Sequence, residues 1–451
     1  MDRLGGEREG QISSIRQVAM ASFIGTAIEW YDFFLYGTAA ALVFGALFFP
    51  EATPLQGTLL AFSTYAVGFF ARPVGGIVFG HYGDRIGRKT MLVLSLLIMG
   101  IATFFIGLLP TFESVGLLAP ILLVVLRVFQ GIGVGGEWGG AVLMAVEHSP
   151  EGRRGFYGSW PQMGVPAGLL LANVVFFIAS GATTDEQFLA WGWRIPFLLS
   201  IILVGVGLFI RLRILETPAF MQVRESGTEA RMPIIDVLRT YPKNVLLAMG
   251  MRIAENGTFY ILTAFVLTYV VEVVGLEQGT GLTGVIIAAT IGLFTIPIFG
   301  ALSDRVGRRP VYLFGAAFSL LFAFPFFWLL NTGVAPLIWL AIVLGVNLGH
   351  DAMYGPQAAY FSELFGTRVR YSGASLGYQL ASVLAGGLSP LIAVALLSAY
   401  GYGAVATYMA IMALITVVSV ILASETFQED ITETQAAERR LIGEGPEPRT
   451  Q

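Results

Sequence analysis

Cysteine is absent from all 451 residues, which excludes disulfides, thiol nucleophiles, thiolate metal sites and cysteine lipidation. Histidine is almost absent. His81, His148 and His350 stand far apart and offer no clustered set of metal ligands. Charge is scarce too, at 12% of residues, and a formal balance of -4 gives no broad basic surface for nucleic acid. No nucleophile, metal or phosphate-binding constellation stands out, so the chain does not read as an enzyme. Nothing calls for a cofactor, and nothing points to an obligate protein partner.

Apolar residues dominate instead, with 55% hydrophobic content and a mean hydropathy of +0.74. Runs of about 20 or more such residues recur, the length that crosses roughly 30 Å of hydrocarbon as helix. The alternating ten-residue pattern of a membrane barrel is missing. The expected class is therefore an all-α integral membrane protein with twelve transmembrane helices, its spans near 16 to 45, 57 to 80, 90 to 110, 116 to 146, 156 to 180, 191 to 212, 242 to 272, 281 to 302, 310 to 330, 334 to 362, 372 to 398 and 402 to 423. The first run follows about fifteen polar residues and lacks a short apolar core with a small-residue cleavage site, so it reads as a retained helix.

Of the 26 Lys and Arg, Arg72, Arg127, Arg194 and Arg252 fall inside runs, and the rest gather in loops on one side. The positive-inside rule then places both the N- and C-termini in the cytoplasm of a multi-pass protein of the cell membrane. The basic loops face anionic lipid. The expected organisation is a cytoplasmic N-terminus over 1–15, a six-helix bundle over 16–212, an Arg-rich cytoplasmic linker over 213–241, a second six-helix bundle over 242–423 and a polar, disordered tail over 424–451.

Duplication supports the two bundles. Gly80-x-x-x-Asp84-Arg85-x-Gly87-Arg88 and Gly300-x-x-x-Asp304-Arg305-x-Gly307-Arg308 share one spacing 220 residues apart, each between two apolar runs. Repeats of this kind mark transporters built from two related halves. The motif reads as a charged turn whose arginines stay at the membrane interface and latch a gate, with topology control as the plainer alternative.

Ionisable groups inside spans cost about 2.5 to 3.5 kcal/mol each, so they are candidates for function. Glu29, Asp32 and Tyr36 are spaced i, i+3, i+7 and share one helix stripe. A buried carboxyl pair can hold a shared proton, since low dielectric and like-charge repulsion both disfavour full ionisation. Alternatively, one acid anchors a neighbouring arginine. Arg127 and Gln130 lie one turn apart beside Glu137, on a helix whose Gly131, Gly135 and Gly139 form a ridge for close packing. Arg127 suits bidentate binding of a carboxylate, or a structural pair with Glu29 or Asp32. Arg252, Glu255, Asn256, Phe259 and Tyr260 form a polar and aromatic wall, or a buried Arg252 to Glu255 pair. Asn347 and Asp351 are one turn apart with His350 between, and Gln162 and Gln379 sit on Gly-rich helices. Substrate-binding candidates are thus Tyr36, Arg127, Gln130, Gln162, Arg252, Asn256, Tyr260, Asn347 and Gln379. Proton-coupling candidates are Glu29, Asp32, Glu137, Glu255 and Asp351.

The paired Gly-x-x-x-Asp-Arg-x-Gly-Arg motifs and Arg127-x-x-Gln130-Gly131 resemble the major facilitator superfamily over roughly 16 to 424. More narrowly, Ile28-Glu29-Trp30-Tyr31-Asp32-Phe33-Phe34, Gly136-Glu137-Trp138-Gly139 and Trp191-Gly-Trp193-Arg194-Ile-Pro196-Phe197 are similar to the metabolite:proton symporter family, and to its shikimate-type members. The resemblance implies proton-coupled uptake of a small polar metabolite such as shikimate, 2-oxoglutarate, citrate, proline or betaine, with Arg127 and the helix 1 acids in the pathway. Export driven by protons is the alternative, although Val165 separates Gly164 from Pro166 where drug exporters place Gly directly before Pro. The tail of about 28 residues carries no apolar heptads of the kind expected in an osmosensing betaine carrier.

Overall fold

The computed structural model describes residues 15–52, 54–213, 221 and 233–428. Among them the chain is helical and free of strands, as expected where lipid supplies no hydrogen bonds and each segment must satisfy its own backbone. The long helices are α1 (Ile15–Ala39), α2 (Pro54–Ile86), α3 (Arg88–Gly107), α4 (Leu118–Glu147), α5 (Arg154–Gly181), α6 (Arg194–Leu212), α7 (Pro242–Glu272), α8 (Gln278–Val306), α9 (Arg308–Leu330), α10 (Ala335–Glu363), α11 (Arg370–Tyr400) and α12 (Tyr402–Leu422). Eleven are long and apolar enough to cross a membrane; α2 is the helix outside that set. π-helical turns interrupt four of the paths, at Ala40–Phe44 after α1, Ile261–Phe265 in α7, Gly345–His350 in α10 and Ser382–Gly387 in α11.

Most of the repeated motif is helical, and its turn is confined to one glycine. Helix α2 runs through Asp84 and Arg85 to Ile86, and α8 through Asp304 and Arg305 to Val306. Each chain then reverses at a single glycine, Gly87 at φ 127° and Gly307 at φ 105°, and the next helix starts at once. Only glycine adopts such backbone without strain. A span ending near residue 80 was therefore too short, because Gly80, His81 and Gly83 look like turn residues yet remain helical.

In the first half of the chain α1 packs on α5, α2 on α4, and α3 on α4 and α6; in the second, α7 and α9 pack on α12, and α8 on α10. Across the halves α5 meets α8 and α10, and α2 meets α11. The glycine ridge of α4 explains one of these contacts. A Cβ on Gly131 would sit 2.3 Å from the Gly68 carbonyl oxygen, one on Gly135 2.1 Å from that of Arg72, and one on Gly139 2.1 Å from Ser375 Oγ of α11. Gly135→Ala is therefore expected to destabilise the fold by ~2 kcal/mol, as overpacking against backbone does. Gly205→Ala, where nothing lies within 4 Å, should be neutral or better. Thermal denaturation of the detergent-solubilised variants checks the pair; equal melting points would refute the close-packing account.

Two segments differ from their expected character. Most of the linker lies outside the described residues, but Pro233–Thr240 forms a short helix with Val237 buried. The expected disordered tail begins as an ordered contact: Glu425 accepts from the Arg308 and Arg309 backbone N–H groups at 2.9 and 3.0 Å, and Thr426 Oγ1 donates to Glu363 at 2.7 Å. Residues 429–451 lie outside the described set.

Candidate functional site

The buried polar groups form three groups. The first surrounds Phe33 of α1. Arg127 is 1% exposed and its guanidinium carbon lies 4.2, 4.7 and 4.8 Å from the ring centroids of Tyr36, Tyr65 and Phe33. Its Nη1 donates to Gln130 Oε1 at 3.1 Å and its Nη2 to the Tyr65 carbonyl at 3.4 Å, while Gln130 Nε2 donates to Thr103 at 2.7 Å. Arg72, equally buried, lies 4.4 Å from the centroids of both Phe33 and Phe69, and the Tyr260 hydroxyl of α7 faces it. Among the described residues neither guanidinium has a carboxylate within ion-pair distance. The expected alternative, a pair of Arg127 with Glu29 or Asp32, is not formed. Among the described residues, both oxygens of Asp32, Oε2 of Glu29, Nε and Nη2 of Arg72, Nε of Arg127 and Oδ1 of Asn256 have no hydrogen-bond partner. Tyr36 serves as a ring under Arg127, its hydroxyl shared with Thr64 at 2.6 Å.

Orphaned polar atoms at this density are uncommon in a folded interior.

The charged members of the second group are paired with one another. Arg252 pairs with Glu255 on the same face of α7 and also donates to Gln357 at 3.1 Å and Ser382 at 3.2 Å. Arg252 is thus a paired cation, as the plainer reading of that helix had it. Glu255 continues through His350 to Asp351, which accepts from Asn347 Nδ2 at 2.8 Å and from Thr295. His350 stands far from the other histidines in sequence; its partners lie on α7 and in its own helix. Glu137 is taken up elsewhere, by Arg211 and by Ser95 at 3.1 Å. Arg211 belongs to the last turn of α6 and is 4% exposed, where charge patterning placed it in the basic loop. Arg194, counted as lying inside a span, starts α6 and ties it to the Gly107 and Leu109 carbonyls at 2.9 and 2.6 Å.

Gln162 and Gln379 bridge the halves. Gln162 Nε2 donates to the Tyr354 carbonyl at 3.2 Å and its Oε1 accepts from Trp138 at 2.8 Å, while Gln379 Nε2 donates to the Gly135 carbonyl at 3.1 Å. Trp138 stacks on Tyr378 at 3.7 Å, again across the halves.

The third group closes the end of the molecule that holds Gly87 and Gly307. Asp84 accepts from the backbone N–H groups of Tyr371 and Ser372 at 3.3 and 2.9 Å, capping the N-terminus of α11. Asp304 does the same for α5, from Gly155 and Phe156 at 2.7 and 2.8 Å. A carboxylate is well placed at a helix N-terminus, where unpaired N–H groups and the helix dipole both favour negative charge. Behind each lies an arginine, a glutamate and a second arginine. Arg88 reaches Asp84 and Glu147, and Arg370 reaches Glu147 at 3.1 Å. Arg308 reaches Asp304 at 2.7 Å and Glu363 at 3.0 Å, and Arg154 lies 3.9 Å from Glu363. Each node joins both halves. Arg88 and Arg308 are therefore buried, contrary to their expected place at the interface, while Arg85 and Arg305 are exposed and outside the nodes.

Among the described residues no group of three or more His, Cys, Asp or Glu is arranged to hold a metal ion.

Comparison with known proteins agrees with this architecture. A family model described as Major Facilitator Superfamily matches residues 22–386. The chain is 44% identical to the shikimate transporter of Escherichia coli (strain K12), over 92% of this chain and 96% of that protein. It is 42% identical to the inner membrane metabolite transport protein YhjE of the same organism, over 93% and 96%. Its fold matches the proton:xylose symporter XylE bound to 6-bromo-6-deoxy-D-glucose with a TM-score of 0.78 at 17% identity, covering 94% of this chain and 99% of that one. A family model spanning most of the chain and relatives this similar over nearly their full length lead to one conclusion: this multi-pass membrane protein belongs to the Major Facilitator Superfamily of transporters.

Proposed function

We propose that the protein imports a small organic acid, a hydroxylated monocarboxylate of the shikimate kind, together with protons by alternating access. The observation that carries this reading is Arg127, a buried guanidinium held over three aromatic rings with no carboxylate partner among the described residues, and with Arg72 beside it in the same state. Burying such cations unpaired costs several kcal/mol, which an arriving carboxylate offsets. Phe33, Tyr65 and Phe69 supply flat apolar walls for the rest of a small ring. The likeness to a shikimate transporter supports the substrate class, and the likeness to a proton:xylose symporter supports the coupling.

In this reading α2 is the twelfth span. Bundles over 16–212 and 242–423 then flank the linker, and the basic end carrying Gly87 and Gly307 is cytoplasmic. The Asp84 and Asp304 nodes form the closed inner gate, and the coupled proton is taken by a buried carboxyl among Glu29, Asp32, Glu137, Glu255 and Asp351.

Ligand-induced thermal stabilisation of the purified protein tests the substrate class, because binding to the folded state alone adds stability as RT ln(1 + [L]/Kd), about 2.7 kcal/mol at a hundredfold excess over Kd. Shikimate and related monocarboxylates should stabilise the parent and leave Arg127→Gln unmoved. Stabilisation by betaines or sugars with none by acids would overturn the proposal.

The gate makes a separate prediction. Asp84→Asn and Asp304→Asn place an amide against N–H donors and weaken one node each. Uptake is expected to slow about tenfold, the equivalent of one charge-assisted hydrogen bond, with apparent affinity within a few-fold of the parent. A collapse of affinity with unchanged maximal rate would mean these residues shape the binding site instead.

A further inference from the structure

His350 raises a question of proton count. Its Nε2 lies 3.1 Å from Glu255 Oε1 and its Nδ1 2.9 Å from Asp351 Oδ1, so both ring nitrogens face carboxyl oxygens. Each contact needs one hydrogen between nitrogen and oxygen. A neutral imidazole carries a single N–H, and an ionised carboxylate carries none. The chain Glu255, His350, Asp351 therefore holds one proton more than a neutral ring and two carboxylates would supply, whether on the ring or on either acid.

Charge leads to the same count. Arg252 is the one cation in contact among the described residues, bonded to Glu255. With the extra proton the four groups sum to zero; without it they carry one buried negative charge. The other polar groups that face the chain are Gln357, Ser382, Asn347 and Thr295, with Tyr312 bonded to Gln357 and the rings of Phe259, Tyr354 and Tyr378 alongside. None of them supplies a further full charge to compensate for a lost proton.

The chain also borders open space. His350 and Asp351 border a cavity between the halves, lined by Val165 and Pro166 of α5, Phe259 and Thr263 of α7, and Gly292 of α8. His350 ends the π-helical turn of α10, a local break of a kind often found at functional sites. By contrast Asp32, although buried, has no ion pair with a titratable neighbour among the described residues.

We infer that the transported proton is carried by the chain Glu255, His350, Asp351, shared through the His350 ring, and that Asp32 does not carry it. This rests on the proposal that transport is proton-coupled. Binding moves one proton from the cavity to the chain, and release returns it to water on the other side; no bond other than N–H or O–H forms or breaks.

The test uses full-length protein in sealed vesicles, with labelled shikimate as the probe and an internal pH-sensitive dye to count protons per substrate. His350→Gln should abolish uphill uptake and proton entry while keeping exchange of labelled for unlabelled shikimate, since exchange moves no net proton. Asp351→Asn should do the same without removing the ring, because the new amide can donate to Nδ1 while Nε2–H bonds Glu255, and the extra proton is no longer required. If His350→Gln fails to insert, Asp351→Asn carries the test. Coupled uptake by Asp351→Asn with the parental proton count and pH profile overturns the assignment, and loss of coupling in Asp32→Asn alone moves it to helix 1. A parent that carries shikimate with no proton entry overturns the coupling on which the assignment rests, and the assignment falls with it.

Discussion

Lysine in place of Arg127 is expected to remove nearly all uptake, on the order of a hundredfold, although the charge is kept. The guanidinium already donates to Gln130 and to the Tyr65 carbonyl while lying over the rings of Tyr36, Tyr65 and Phe33. Its planar fork can hold those partners and still turn an N–H edge to a carboxylate. An ammonium is a single, strongly hydrated point. It can hold the protein acceptors or the substrate, and it stacks less well on three rings. Losing two charge-assisted hydrogen bonds of about 1.5 kcal/mol each gives a deficit of about 3 kcal/mol, or two decades. Initial rates of labelled shikimate uptake, at matched amounts of inserted protein, check this. Uptake within a few-fold of the parent would make Arg127 a structural cation.

Arg211→Met is expected to lose about 3 to 5 kcal/mol of stability and much of the folded yield, because it leaves Glu137 buried and unpaired. Arg211 is the only cation in contact with Glu137 among the described residues, and it also holds the Leu92 carbonyl at 2.5 Å, joining α6 to α3 and α4. The double variant Arg211→Met/Glu137→Gln should recover a large part of that loss, since the buried charge is gone and the amide can still accept from Ser95. Thermal aggregation of the detergent-solubilised variants resolves the difference. A double variant as unstable as the single one would show that Arg211 acts through packing, and that Glu137 is free for a part in proton coupling.

These two arginines also show what sequence does and does not reveal. Long apolar runs translate into helices because lipid leaves the backbone no other choice, so span positions are legible to a few residues. Spacing within one helix is legible for the same reason. Arg127 and Gln130 do bond, as do Asn347 and Asp351, and Gly131 and Gly135 of α4 do pack closely on α2. Partners on other helices leave no such trace. Arg211 sits where charge counting assigns a loop, and its burial follows only from Glu137, 74 residues earlier.

The nodes behind Asp84 and Asp304 were half legible. Their second components, Glu147 with Arg154 and Glu363 with Arg370, repeat a spacing of seven residues in both halves, 216 positions apart. That second repeat was available in the sequence, but it straddles a helix end and a short loop in each copy, where no apolar periodicity draws attention to it. Because each arginine pairs with the glutamate of the opposite half, reading one copy alone would have suggested the wrong partner. The proton count at His350 needed three-dimensional placement altogether, since Glu255 is 95 residues away in sequence.

One pH unit across a sealed vesicle is worth about 1.4 kcal/mol per proton, so a monocarboxylate entering with one proton should accumulate about tenfold with the potential clamped at zero. Purified protein in such vesicles, outside acidic and inside neutral, should concentrate labelled shikimate to that level and lose the gradient when a protonophore is added. Shikimate that only equilibrates, or that accumulates equally with the pH difference reversed, would contradict proton-driven import of an organic acid.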